Sequence, residues 1–178
     1  MTAAIPIIET ARLRLRGHRV EDFDDCAAMW GDAGVTRHIG GRPFAPEETW
    51  GKILRYAGLW SLLGYGYWAI EEKASGRFVG EAGFADFKRR IEPSLDGMPE
   101  IGWVLAPWAH GRGFAAEAAR AAVAWGDGRF GAAPTACIVA PEHAASIRVA
   151  QKCGYREFAR TTYQDQPALL MQRGGGAR

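Results

Sequence analysis

Two glycines, Gly111 and Gly113, stand where an apolar run, Glu100 to Leu105, gives way to the alanine-rich run Phe114 to Trp125. The first run reads as a short central strand, Pro107 ends it, and the second reads as a helix. A glycine has no Cβ to hold a ligand away from the backbone. The first turn of the helix behind it offers unpaired N–H groups and the positive end of a dipole. That is an anion site suited to phosphate. The dipole supplies roughly 0.3–1 kcal/mol, whereas each hydrogen bond to a charged group is worth about 1.5–3 kcal/mol. Several backbone amides therefore outweigh any one basic side chain, although Arg112 has the fork geometry for a bidentate phosphate contact. On local residues alone, the glycines also fit a plain tight turn before a closely packed helix.

Nucleotide-binding motifs are the first alternatives. A Walker A loop needs G-x-x-x-x-G-K-[ST], and the chain has no such run. Gly111-x-Gly113-x-x-Ala116 matches the letters of a Rossmann fingerprint. That fingerprint sits on a first strand, with an acidic residue about 20 positions further on. Here it follows several strands, and the later positions are Ala132, Ala133 and Pro134.

The rest of the chain supplies elements to position this turn. Arg12 to Arg16 alternates polar and apolar residues, as a strand with one buried face does. Val20, Phe23, Ala27 and Trp30 have helical spacing, and Ala45 to Leu63 reads as a second helix, interrupted at Gly58. Thr36 to Phe44 is a glycine-rich connector between them. Tyr67–Glu72 and Arg77–Phe87 form a hairpin around Lys73–Gly76, and Lys88 to Met98 is a charged loop. Thr135 to Val139 is a strand, Ala144 to Lys152 a helix closed by Gly154, and Tyr155–Tyr163 and Ala168–Gln172 two final strands. Strands interleaved with helices give one α/β domain with a mixed sheet.

Composition sets the outer limits. With 178 residues, 48% hydrophobic and 24% charged, the chain excludes collagen, a coiled coil and wholesale disorder. A formal charge of +2 gives no argument for nucleic acid, and none is expected as a partner. The longest uncharged apolar-looking stretch, Gly58 to Ile70, is shorter than the ~18 residues of a membrane span. Three widely spaced cysteines, Cys26, Cys137 and Cys153, read as reduced thiols of a cytoplasmic protein, and no metal-ligand spacing appears. Residues 1–173 form the domain, and 174–178 read as a flexible glycine-rich tail.

Strand, proline and His110-Gly111-Arg112-Gly113-Phe114-Ala115, leading into an alanine-rich helix, resemble the acyl-CoA motif of the GNAT superfamily of N-acetyltransferases. Its usual form is Q/R-x-x-G-x-G/A. Gly113 and Ala115 fill the small positions, and His110 departs from the first. Glu9–Arg16 is similar to the opening strand of the RimJ/RimL-like branch. Thr36–Gly40 with Pro43, Glu47 and Glu48 resembles that branch's link between its first two helices. Gly76–Gly80 with Gly83 resembles its hairpin, and Ser146–Tyr155 its late helix and following strand. The resemblance covers nearly the whole chain. It implies an α/β (α+β) mixed sheet of about seven strands, flanked by about four helices, with a splay between the two central parallel strands.

The resemblance also implies roles. Acetyl-CoA is the co-substrate, and a primary amine (a protein N-terminus or a small molecule) is the acceptor, attacking the acetyl carbonyl directly. Backbone groups of Trp103, Val104 and Leu105 hold the pantetheine arm, and His110, Gly111, Arg112, Gly113, Phe114 and Ala115 cradle the pyrophosphate. The acceptor's walls come from the Thr36–Phe44 connector, with His38, from the Lys88–Met98 loop and from the final hairpin. Trp50, with Trp60 and Tyr56, is either an apolar acceptor wall or core. An α-amine of pKa ~7.7–8.0 is about a tenth neutral at pH 7, and lysine at ~10.4 under a thousandth, so the amine needs a base. Glu100, opening the central strand, is the candidate, directly or through water; pairing with an arginine is its alternative. Many relatives protonate the departing thiolate with a tyrosine four residues before the helix-closing glycine, but that position is Ala150 here. Ser146, one turn earlier, fills a position used for this role in the RimL-like branch. His143 stands where many relatives have a cofactor-contacting asparagine. Lys88-Arg89-Arg90 reads as a solvated loop. The family allows a homodimer. The runner-up function is a non-catalytic acyl-CoA-binding module.

Overall fold

Leu13 and Leu15 are fully buried while Arg14 between them faces outward, the alternation that makes this segment a strand. In the computed structural model, which describes residues 4–174, the first half of the chain holds β1 (Ile8–Glu9), β2 (Leu13–Arg16), α1 (Phe23–Trp30), α2 (Ala33–Thr36) and α3 (Pro46–Leu63). Then follow β3 (Tyr67–Glu72), β4 (Phe78–Ala85), β5 (Glu100–Leu105), α4 (Phe114–Phe130), β6 (Thr135–Val139), α5 (Ala144–Lys152), β7 (Arg156–Tyr163) and β8 (Gln166–Arg173). The strands form one sheet in the order β1-β2-β3-β4-β5-β6-β8-β7. Every pairing is antiparallel except β5 with β6.

That parallel pair is where the sheet opens. Its single register pair is Glu100 with Ala136, reinforced by the Ala136 amide on the Pro99 carbonyl at 3.0 Å. Beyond that point β5 and β6 diverge. On one face, α4 covers a core of Leu13, Trp68, Phe84, Ile101, Phe114 and Ala118. On the other, α1 and α3 pack over Ala69, Phe78, Val104 and Tyr67.

The eight-stranded sheet and five helices exceed the expected seven and four by β1 and α2. β1 has two residues and α2 four, too short to leave a periodicity. Gly58 does not interrupt α3: it lies in open space on the helix surface and the helix continues to Leu63. The helix α4 runs past Trp125 through Gly126, where a Cβ would stand 2.9 Å from the Phe84 ring and 3.3 Å from that of Phe130. Gly126 is there because two aromatic rings need the space. Of the expected tail, residues 175–178 lie outside the described residues.

All three cysteines are free and buried. Burial pushes each thiol pKa above its ordinary value. The native protein is therefore expected to give essentially no reaction with an aromatic disulfide reagent, and three thiols after denaturation. Rapid native titration of all three would contradict their placement in the core.

Candidate functional site

The loop between β5 and α4 has the conformation its glycines permit. Gly111 and Gly113 have φ of 73° and 78°, in the left-handed region. Gly113 is the N-cap of α4, and no side chain caps the helix there. Glu117 is the first residue of the helix to bond back, from its amide to the Gly113 carbonyl at 3.2 Å. The amides of Phe114, Ala115 and Ala116 precede it, and they are the donors an anion would use. A Cβ at Gly111 would meet nothing within 4 Å, and one at Gly113 only the Arg12 guanidinium at 3.4 Å. The space before this loop is a cradle, and coenzyme A diphosphate fits its donor set.

The basic side chains here are already engaged. Arg112 pairs with Glu72 at 2.9 Å and lies over the Phe114 and Trp108 rings. Arg12, which the sequence reading left in a strand, donates to the Arg112 carbonyl at 2.9 Å and pairs with Glu117 at 2.7 Å. Glu117 also accepts from the Thr10 hydroxyl and the Arg12 amide, fastening the β1–β2 turn to the start of α4. His110 turns back to donate to the Leu105 carbonyl at 2.9 Å, which fixes where β5 ends.

Inside the splay, Trp103 on β5 donates its indole N–H to Ser146 Oγ on α5 at 3.4 Å, a long bond. The Ser146 hydroxyl hydrogen remains free to be donated elsewhere. One turn before Ser146, His143 stacks on His38 at 4.4 Å, so the connector and the start of α5 meet. Burial, then the neighbouring charges of His38 and Arg37, hold the His143 pKa below its ordinary value. Trp50 does not join these residues. It packs edge-on against Phe23 at 5.7 Å and lines a surface hollow with Val20, Glu21 and Asp24.

At the closed end of the splay, Glu100 receives both nitrogens of an Arg89 fork, at 2.7 and 2.8 Å. Burial opposes the Arg89 charge, but the Glu100 hydrogen bonds and charge outweigh it and raise the Arg89 pKa. The expectation of a solvated Lys88-Arg89-Arg90 run therefore fails at its middle residue. Arg89 points inward because Glu100, eleven residues on, provides the buried counter-charge. No local pattern announces such a pair.

A second buried carboxylate escaped the sequence reading. Glu81, on β4, is fully buried and accepts from His18 (3.2 Å), Cys26 (3.4 Å), Trp30 (3.0 Å) and Tyr56 (3.2 Å). Burial opposes its charge, yet the His18 bond and charge and the Trp30 and Cys26 donors prevail, holding its pKa below the ordinary range. His18, Cys26 and Glu81 present ligand-type atoms within 4.8 Å of one another, and the four donors account for the lone pairs of the carboxylate. Glu81 thus ties β2's exit, α1 and α3 to the sheet. Nothing in the hairpin pattern of Arg77–Phe87 gave a signal of this.

A mixed sheet that opens between two parallel strands, beside a glycine-capped helix N-terminus, is the arrangement that the resemblance to the GNAT superfamily implied. Residues 12–156 match the model of the acetyltransferase (GNAT) domain, and the chain belongs to that family. It is 33% identical over 112 residues to the uncharacterized protein YkkB of Bacillus subtilis (strain 168), a match spanning 62% of this chain and 63% of that one. It is 27% identical over 153 residues to the uncharacterized N-acetyltransferase YoaA of the same organism, covering 85% and 84%. The acetyltransferase from Agrobacterium tumefaciens str. C58 superposes with a TM-score of 0.83 at 26% identity, over 98% of both chains. More distant folds include a Vibrio cholerae spermidine N-acetyltransferase solved with CoA and spermine (TM-score 0.72, 15% identity, 93% and 96% covered). They also include the RimL ribosomal L7/L12 alpha-N-protein acetyltransferase solved with coenzyme A (TM-score 0.73, 16% identity, 95% and 98% covered).

Proposed function

We propose that the chain transfers an acetyl group from acetyl-CoA to a primary amine held on the α1–α3 face of the sheet. The observation that carries this is the β5–β6 opening, closed at Glu100–Ala136 and flanked at its open end by the Gly113-capped helix. In this reading the α4 amides, Gly111, Gly113 and Ala115 hold the diphosphate, with Arg112 and Arg12 beside it. The backbone of Trp103, Val104 and Leu105, on the edge of β5 that β6 leaves unpaired, pairs with the pantetheine amides. The acceptor nitrogen attacks the thioester carbonyl, the C–S bond breaks, and the amine gives up a proton. Each Glu100 oxygen keeps a lone pair beyond the one Arg89 uses, so Glu100 can take that proton directly or through water. Ser146, whose oxygen already accepts from Trp103, donates to the departing thiolate. His143 lies beside it as a cofactor contact, and His38 as a wall of the acceptor side. Three unpaired thiols fit a cytoplasmic setting.

Glu100→Gln is expected to lower turnover by about 10²-fold, the low end for general acid–base catalysis, with acetyl-CoA affinity within about twofold. The loss should be larger at lower pH, where less of the amine is already neutral. An unchanged pH–rate profile would remove Glu100 from the chemistry. The assay is thiol release from acetyl-CoA over a panel of amines and peptides. Thermal stabilisation by acetyl-CoA with no release on any acceptor would instead support the binding-module reading, which the missing tyrosine at Ala150 motivates.

A further inference from the structure

Each of the three walls expected around the acceptor supplies or touches one of a group of cations. Phe44 comes from the connector, Arg89 from the charged loop and Tyr163 from the tip of the final hairpin. Between them α3 presents Lys52 and, one turn on, Arg55. The Lys52 ammonium lies 3.9 Å from the Trp30 ring centre and 4.5 Å from that of Phe44. Arg55 and Arg89 lie 5.2 and 4.7 Å from the Phe87 ring, and Arg89 4.9 Å from that of Tyr163.

The carboxylates nearby are already matched. Glu48 is held by Arg42, Glu81 by His18 and its other donors, and Glu100 by Arg89. Among the described residues Lys52 and Arg55 form no ion pair. Burial, then the charge of Arg55, brings the Lys52 pKa down to about 8 even though Glu81 and Glu48 oppose that shift. The site thus pays for holding cations together without a counter-ion of their own. A cationic acceptor would need free carboxylates or free ring faces. Here each of these rings already carries one or more of the protein's own cations.

We propose that the acceptor carries a carboxylate next to its amine, bound by Lys52 and Arg55 while the amine nitrogen faces the thioester. This rests on the transfer reading above and narrows its substrate class to amino acids or acidic peptide N-termini. Polyamines are disfavoured by like charge.

Two measurements test it. In the first, serine, β-alanine and a Ser-Asp dipeptide are compared with their carboxamides, and with spermidine, as acceptors. At least one carboxylate is expected to exceed its amide about tenfold or more in kcat/KM, the scale of one charge-assisted bond. Lys52→Met and Arg55→Met should each erase most of that preference, and added salt should reduce it. In the second, Lys52 acetylation by acetic anhydride is followed by peptide mass spectrometry at constant ionic strength, with N-acetylserine or N-acetylserinamide present. The carboxylate should slow labelling about threefold or more and the amide should not, because ion pairing keeps the amine protonated. Equal labelling with both probes, or amides and spermidine acetylated as well as the carboxylates, overturns the proposal. Protection of Lys52 without turnover on any amine would leave the anion site standing and refute the transfer reading alone.

Discussion

Gly113→Asp is expected to weaken acetyl-CoA binding by about 10²- to 10⁴-fold in calorimetry while the protein remains folded. The left-handed φ of 78° costs a non-glycine residue roughly 1–2 kcal/mol, less for aspartate, whose short polar side chain bonds locally. A Cβ there meets only the tip of the Arg12 guanidinium, an oppositely charged side chain. Folding therefore tolerates the change. Binding does not, because the carboxylate occupies the space in front of the Phe114, Ala115 and Ala116 amides and repels a diphosphate. Losing two charge-assisted bonds of about 1.5–3 kcal/mol each gives the stated range. Gly113→Asn, which tolerates the same φ without the charge, separates blockage from repulsion and should fall between the variant and the parent. An affinity unchanged by Gly113→Asp, in a protein with an unchanged melting curve, would remove the loop from the cofactor site.

The largest effect on stability is expected at Glu81. Glu81→Ala strips the buried His18, Trp30, Tyr56 and Cys26 donors of their common acceptor. Breaking a buried charged network from one side costs about 3–5 kcal/mol. For a chain of this size each kcal/mol moves the melting temperature about 2–4 °C, so a fall of roughly 6–20 °C is expected. Glu81→Gln retains the shape but turns an amide N–H₂ toward groups that are themselves donors, and should recover only part of the loss. The pH dependence follows from the lowered pKa of Glu81. The contribution of the carboxylate is fully present above the unfolded value of about 4.3 and is lost as pH falls through the folded value. The alanine variant should therefore lose less stability on acidification than the parent does. Equal melting temperatures for Glu81→Ala and the parent would mean that the network holds nothing together.

Both expectations concern groups on strands and turns, yet they differ in how visible they are along the chain. Gly113 caps the helix, Gly111 lies two residues before it, and the helix amides follow within three residues, so one stretch contains the whole of the proposed diphosphate loop. Glu100 was legible as the residue that opens β5, whereas Ser146 and His143 were singled out by resemblance to the family's late helix. That Trp103 reaches Ser146 across 43 residues, and that His38 stacks on His143, was not legible. Arg89 read as one of a run of solvated charges and Glu81 drew no reading at all, since burial of a charge depends on partners brought from elsewhere.

The sequence by itself determined the local order: period-two and helical patterns, the turn glycines, the strand–turn–helix proposed to hold the diphosphate, and the boundaries of β5, β6 and α5. These rest on interactions within a few residues, which the chain writes down in sequence. The pairing of Glu100 with Arg89, the four-donor pocket around Glu81 and the convergence of Lys52, Arg55 and Arg89 under three separate loops were decided only by the tertiary structure. Long-range electrostatics follow distance in space, and in this sheet the strands that set those distances are joined by loops and helices that leave no periodic trace of who will face whom.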